Sequence, residues 1–305
     1  MAKKSQNQVL IIVLTDNCFI TQDNIRTMMP ELFLLGKCQV LRINNTNATT
    51  IKHWQKIASV ISQQYDSYEG FIVIENYHQV IGSAIATKLS LQSNYKSIAF
   101  VAVKELNHDF LFNQKIDELN LRLNIINSLQ LIKSNLQTVM IVDEDKVIDP
   151  LWTAELRTTD LQKYVSINEQ YLAQLDQVIT ITENLKFLPG TLKLMDQFNN
   201  KIKIIHYIDW LACEKEDRQS KKTAGYFIYL TSTITIEELN SLLKKINQSL
   251  PIVIYNNNQT IINEKINTDV IYCDQYSYRA NLIKISWALG NSKDKKSFNQ
   301  LFLQK

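Results

Sequence analysis

At 305 residues the chain is long enough for about two domains of ordinary size. Its net charge of +3 is too mild for a nucleic-acid partner, and no stripe of basic residues interleaved with aromatics runs along it. Six glycines and four prolines stand where average usage would give about 20 and about 15, which excludes collagen-like and Gly/Ser-linker architectures and weakens any reading that needs a glycine-rich phosphate loop.

The first apolar run, Val9–Leu14, is too short for a signal-peptide core or a membrane span, so the chain reads as cytoplasmic with no membrane partner. Further β-branched runs follow at Phe71–Ile74, Ser97–Val103, Thr138–Val142, Val178–Thr182, Ile202–Ile208, Tyr226–Leu230, Pro251–Tyr255 and Val270–Cys273. They are continuous rather than alternating, the pattern of strands buried on both faces of a parallel sheet. Helical periodicity separates several of them. From Ile51 to Gln64 it places Ile51, Trp54, Ile57, Ala58 and Ile61 on one face and His53 on the exposed side. Ala84–Leu91, Leu119–Ile132, Ile236–Ile246 and Tyr278–Leu289 repeat the pattern. Strand–helix alternation of this kind predicts an α/β fold with a doubly wound, parallel-rich sheet.

The turn at Leu188–Gly190 and the charged stretch Ala212–Thr223 predict an N-terminal domain over 1–190. A linker region with a strand and a charged loop follows over 191–222, and a smaller α/β domain over 223–305. Four cysteines without a CxxC imply neither a disulfide framework nor a zinc site. His108 falls in a polar loop and His206 inside an apolar strand. No histidine is spaced as a metal ligand, so no metal and no cofactor is expected.

The stretch Tyr68-Glu-Gly-Phe-Ile-Val-Ile74, followed by Glu75-Asn-Tyr-His-Gln79, Ser83-Ala84 and Leu89-Ser90, resembles the bacterial L-asparaginases, above all the cytoplasmic type I enzymes. Val9–Ile20 is similar to that family's first strand and turn, and Trp54–Tyr65 to the helix before its second motif. Asn124–Leu129, Lys146–Asn168 and Asp274–Leu289 continue the likeness in the same order. The resemblance implies the two-domain asparaginase-like fold, with a large N-terminal sheet and a shortened C-terminal domain.

For chemistry the resemblance implies loss. The family's nucleophilic threonine is Cys18 here, after Asp16-Asn17 in place of two glycines. Its Asp-Ser substrate clamp is Asn45-Thr46, its Thr-Asp pair is Tyr77-His78 after Asn76, and its catalytic lysine is Glu155. The C-terminal Asn and Glu that reach a neighbouring subunit's site become Thr233 and Tyr278, while Trp152 and the tyrosines fill space where substrate would enter.

One catalytic reading follows, and two without catalysis. Cys18, His78 and Glu155 compose a nucleophile, base and orienter for an amidohydrolase acting on L-Asn or a related small amide. The leading expectation is instead a pseudoenzyme, a scaffold or regulatory subunit that forms a homo-oligomer (dimer or tetramer) or a hetero-oligomer with an active paralogue. An amino-acid binding module contacting its ligand through Asn45, Thr46 and Tyr77 is the other alternative.

Overall fold

The computed structural model describes residues 8–16, 18–43, 50–103, 111–157, 162–176, 178–182, 191–207, 223–231, 234–256 and 270–304. Its chain divides into two compact units, Met1–Asp196 and Gln197–Lys305. The turn at 188–190, the charged stretch over 212–222, His108 and Thr233 lie outside the described residues.

The first unit opens with β1 (Gln8–Val13), α1 (Ile25–Met28), α2 (Leu32–Leu35), β2 (Lys37–Arg42), α3 (Thr50–Gln64), β3 (Gly70–Asn76) and α4 (Tyr77–Ser90). It continues with β4 (Leu91–Gln92), β5 (Ile98–Val103), α5 (Leu111–Lys133), β6 (Val139–Asp143), β7 (Lys146–Ile148), β8 (Thr153–Arg157) and β9 (Gln162–Ser166). β10 (Ala173–Leu175), β11 (Ile179–Ile181) and β12 (Lys193–Leu194) complete it. Eight of these strands form one sheet in the order β11-β10-β7-β6-β5-β3-β1-β2. The pairs from β2 through β6 are parallel, and β7, β10 and β11 extend the sheet antiparallel. β8 and β9 form a separate hairpin, and β4 pairs with β12.

The continuous apolar runs become the inner strands: β1, β3, β5 and β6 are buried almost end to end. β2 escapes that pattern because it is an edge strand with one face in solvent, and its KCQVLR sequence alternates accordingly. The run at 178–182 forms an antiparallel edge strand rather than a doubly buried parallel one, and Ile181 is exposed.

The helix expected over 84–91 begins seven residues earlier, at Tyr77, directly after β3. It is buried nearly all round, so it carries almost no amphipathic signal to mark its start. On α3 the buried stripe is His53, Ile57, Ala58 and Ile61, which corrects the placement of His53 on the exposed side. The true face is turned toward the i, i+4, i+8 row through His53, and Ile51 and Trp54 sit at its margin.

Two glycines serve close approach. A Cβ on Gly70 would lie 2.7 Å from Ile132 Cγ2 and 3.0 Å from the Ser97 carbonyl, so α5 reaches β3 only across a bare backbone. A Cβ on Gly82 would meet the Trp54 ring at 3.3 Å, where α4 crosses α3.

The second unit is smaller: β13 (Ile202–His206), β14 (Gly225–Leu230), α6 (Ile236–Lys244), β15 (Ile252–Asn256), β16 (Ile271–Cys273), α7 (Tyr278–Asn291) and α8 (Lys295–Leu303). Its four strands are parallel and lie in chain order. α6 starts on a capping box between Thr235 and Glu238 and buries Leu239, Leu242 and Leu243 against Ile228, Ile252 and Ile254.

Candidate functional site

In the large sheet β1 is flanked by β2 on one side and β3 on the other. The chain therefore leaves β1 in one direction and returns in the other, and the carboxyl ends of β1 and β3 form the sheet's topological switch point. Ligands of open α/β sheets gather at such points. Cys18 follows the first of these ends, and Tyr77 and His78 follow the second.

β3 passes into α4 with no intervening residue. Asn76 is both the last strand residue and the N-cap, its Oδ1 accepting from the His78 N–H at 3.1 Å. That cap fixes the first turn of the helix, on which Tyr77 points inward, 2% exposed, and His78 outward.

The β8–β9 hairpin seats on this turn. Its register sets Glu155 opposite Tyr164, so both side chains share one face. Tyr164 stacks on Tyr77 with ring centroids 4.7 Å apart and planes within 12°, and its hydroxyl donates to the Tyr77 carbonyl at 2.5 Å. Beside it Glu155 Oε1 lies 3.7 Å from His78 Nδ1, a charge contact longer than a hydrogen bond. Asp143, at the end of β6, holds the hairpin by accepting from the Tyr164 N–H at 3.0 Å.

Two members of the expected triad are thus neighbours. Cys18 is placed otherwise: it is 2% exposed and belongs to the apolar cluster with Val13, Ile20, Ile25 and Val40. Burial pushes its thiol above the ordinary range, outweighing the Ile20 backbone hydrogen bond and the Arg42 charge, both of which act downward. Free cysteines in such surroundings pack as small hydrophobes. Of the expected ligand contacts, Asn45 and Thr46 lie outside the described residues, and Tyr77 is occupied by its stack with Tyr164. Trp152 is half-buried in the turn before β8. Tyr278 belongs to the second unit, where it packs among Phe227, Tyr229 and Tyr255 at 5.1–6.1 Å.

Two residues of this region were not anticipated from the sequence. Tyr164 is one, marked only by its place opposite Glu155 in a short alternating strand. The other is Glu75, the next-to-last residue of an apolar strand and 1% exposed. Its Oε2 lies 2.5 Å from His53 Nε2 and accepts from Ser83 Oγ at 3.2 Å, while Oε1 accepts from the Asn76 N–H at 2.9 Å. This buried pair ties α3 to the end of β3, immediately beneath the turn that carries Tyr77 and His78.

The surface offers one half-exposed imidazole beside a carboxylate, and the Cys18 thiol is buried. Among the described residues no group of three or more His, Cys, Asp or Glu is arranged to hold a metal ion. No helix among them is long and apolar enough to cross a membrane.

Comparison with known proteins agrees with this fold. No curated protein sequence matches the chain. Among solved structures it is similar to the thermostable L-asparaginase from Thermococcus kodakarensis, with a TM-score of 0.73 at 12% identity over 98% of this chain and 97% of the other. It is similar to L-asparaginase I from Vibrio cholerae O1 biovar eltor str. N16961 to the same degree, 0.73 at 12% identity, over 98% of each chain. At such identities the likeness is one of fold. Residues 12–186 match the family described as asparaginase, N-terminal, and the chain belongs to the asparaginase family.

Proposed function

We propose that this chain is a non-hydrolytic member of its family, a cytoplasmic protein that works by association rather than by releasing ammonia. The observation that carries this reading is the state of Cys18. At the position where the resemblance sets the nucleophile, the thiol is 2% exposed and held in its neutral form by burial. Acyl transfer needs the thiolate, an accessible attack path and donors for the oxyanion. The Tyr77–Tyr164 stack supports the same reading, because two rings fill the volume above the helix turn. Association with a second copy, or with an active relative, is the role left to a scaffold whose chemistry is closed. Cys18, Cys38 and Cys273 are all buried free thiols, as suits a reducing compartment.

Purified protein incubated with L-Asn or L-Gln should release no ammonia above buffer, and Cys18→Ala should behave identically. Turnover that disappears in Cys18→Ala would refute the proposal. It would establish instead a cysteine amidohydrolase using Cys18, His78 and Glu155, the reading favoured by the His78–Glu155 contact. Sedimentation of the same preparation tests self-association.

A further inference from the structure

The parallel strands of the second unit bring their aromatic residues together at one end. His206 ends β13, and the register sets it opposite Tyr229 of β14, which in turn lies opposite Tyr255 of β15. Residues opposite one another point to the same face, so an imidazole and two phenols form a row at the carboxyl ends of the strands. Ligands of open parallel sheets gather at that end. The Tyr229 and Tyr255 rings stack with centroids 5.6 Å apart and planes within 23°. The His206 ring stands at 84° to that of Tyr229 at 5.5 Å, and the Tyr278 ring at 60° at 5.1 Å.

Phe227 and Tyr255 form the buried base of the cluster, while His206, Tyr229 and Tyr278 are half-buried and keep one side uncovered. The turn before α7 holds Tyr278 in place. Ser277 caps the helix, its Oγ accepting from the Ala280 N–H at 3.2 Å. Asn281 Nδ2 donates to Gln275 O at 2.7 Å and to Ser277 O at 3.2 Å, and the Tyr255 hydroxyl donates to Tyr276 O at 3.4 Å. Side chains fixed in this way lose little freedom when a ligand arrives.

The chemistry of the cluster selects the ligand. None of its five side chains is a carboxylate, ammonium or guanidinium, so it holds no built-in partner for an ion. Its rings touch one another, with centroids 5.1–6.1 Å apart, which leaves no gap between faces for a cation. A further ring joins such a cluster by the offset and edge-to-face contacts its members already make. Among the described residues the Tyr229 and Tyr278 hydroxyls and the His206 ring nitrogens make no hydrogen bond, and these groups both donate and accept.

We propose that this cluster binds an uncharged heteroaromatic ring, of the kind a nucleobase presents, with the ring against Tyr229 and Tyr278 and its polar edge on the phenols and the imidazole. The proposal does not depend on whether the chain hydrolyses amides, since every residue of the cluster lies in the second unit and Cys18 in the first.

The test is titration calorimetry and saturation-transfer NMR on the intact chain, with adenosine as the probe and ribose and tetramethylammonium as separate arms. Adenosine should bind with a Kd below about 1 mM, and ribose should not bind. Tyr278→Ala should weaken adenosine about tenfold, the size of one lost base–aromatic contact, and Tyr278→Phe by less because it keeps the ring. Tyr95→Ala, which removes an exposed tyrosine of the first unit, should leave the affinity unchanged. The unmodified chain supplies a measurement that no misfolded variant can spoil: saturation should reach the ring protons of the base more strongly than those of the sugar. No adenosine binding up to about 5 mM overturns the proposal. So does an affinity unchanged in Tyr278→Ala, a loss in Tyr95→Ala as large as that in Tyr278→Ala, or stronger saturation of the sugar. Tetramethylammonium binding in place of adenosine overturns it as well and makes the cluster a cation site.

Discussion

Replacing His53 with leucine should remove one partner of the buried His53–Glu75 contact. Glu75 would keep its bonds from the Asn76 N–H at 2.9 Å and Ser83 Oγ at 3.2 Å but lose the 2.5 Å contact with His53 Nε2. Breaking a buried pair from one side costs about 3–5 kcal/mol. The two surviving donors place this case at the lower end, about 3 kcal/mol. For a unit of this size that corresponds to a fall in Tm of about 6–12 °C. Glu75→Met alone should cost a similar amount by stranding the imidazole. The double variant His53→Leu/Glu75→Met replaces both groups with apolar ones and should cost clearly less than the sum, with a coupling of about 2 kcal/mol. Urea unfolding followed by circular dichroism, with the transition of the first unit identified by hydrogen exchange, supplies the four corners of the cycle. A His53→Leu cost under about 1 kcal/mol, or a strictly additive double variant, would show that the pair does not clamp α3 to β3.

Three further outcomes are expected. Gly70→Ala should destabilise by about 1–3 kcal/mol in denaturant titration, since the new methyl meets Ile132 Cγ2 and the Ser97 carbonyl, and its cost should shrink in an Ile132→Ala background, which lacks both γ carbons. Tyr164→Phe should cost about 0.5–1.5 kcal/mol by removing the bond its hydroxyl donates to the Tyr77 carbonyl, while leaving the ring stack in place; a neutral change would mean the hydroxyl is not engaged there. Burial pushes the Cys38 thiol up to about 11 from its ordinary value of 9.0 against a smaller pull from Lys133. Between those pH values the unfolded chain has released a proton that the folded chain retains. Stability contributed by the neutral thiol is therefore full below pH 9 and lost by about pH 11, about 2–3 kcal/mol in all. Urea midpoints measured from pH 8 to 11 should fall less steeply in Cys38→Ala than in the unmodified chain.

The parts of the fold legible in the sequence are those whose environment is uniform. β1, β3, β5 and β6 are surrounded by apolar neighbours on both faces, so each writes an unbroken run of Val, Ile, Leu and Phe. β2 lies at an edge and α4 in the interior, and neither carries the pattern that its type usually shows. At the site, the family resemblance pointed to His78 and Glu155, whose contact spans two elements far apart in the chain. Tyr164 and the His53–Glu75 pair stayed hidden for a common reason. Each is a polar group buried because a specific partner satisfies it, and a partner in space leaves no trace in local periodicity. His53 shares the i, i+4, i+8 row with Ile57 and Ile61, so the buried face of α3 runs through it in spite of its polarity.

The passage from β3 into α4 without a connecting residue has a kinetic consequence. A loop between strand and helix would supply torsions that turn at little cost, and with them a hinge. Here the residue that ends the ladder also caps the helix, so moving Tyr77 or His78 means breaking one or the other. Whatever meets this face meets it already formed. Association there should proceed in one phase, with a rate proportional to ligand concentration and no slow isomerisation behind it.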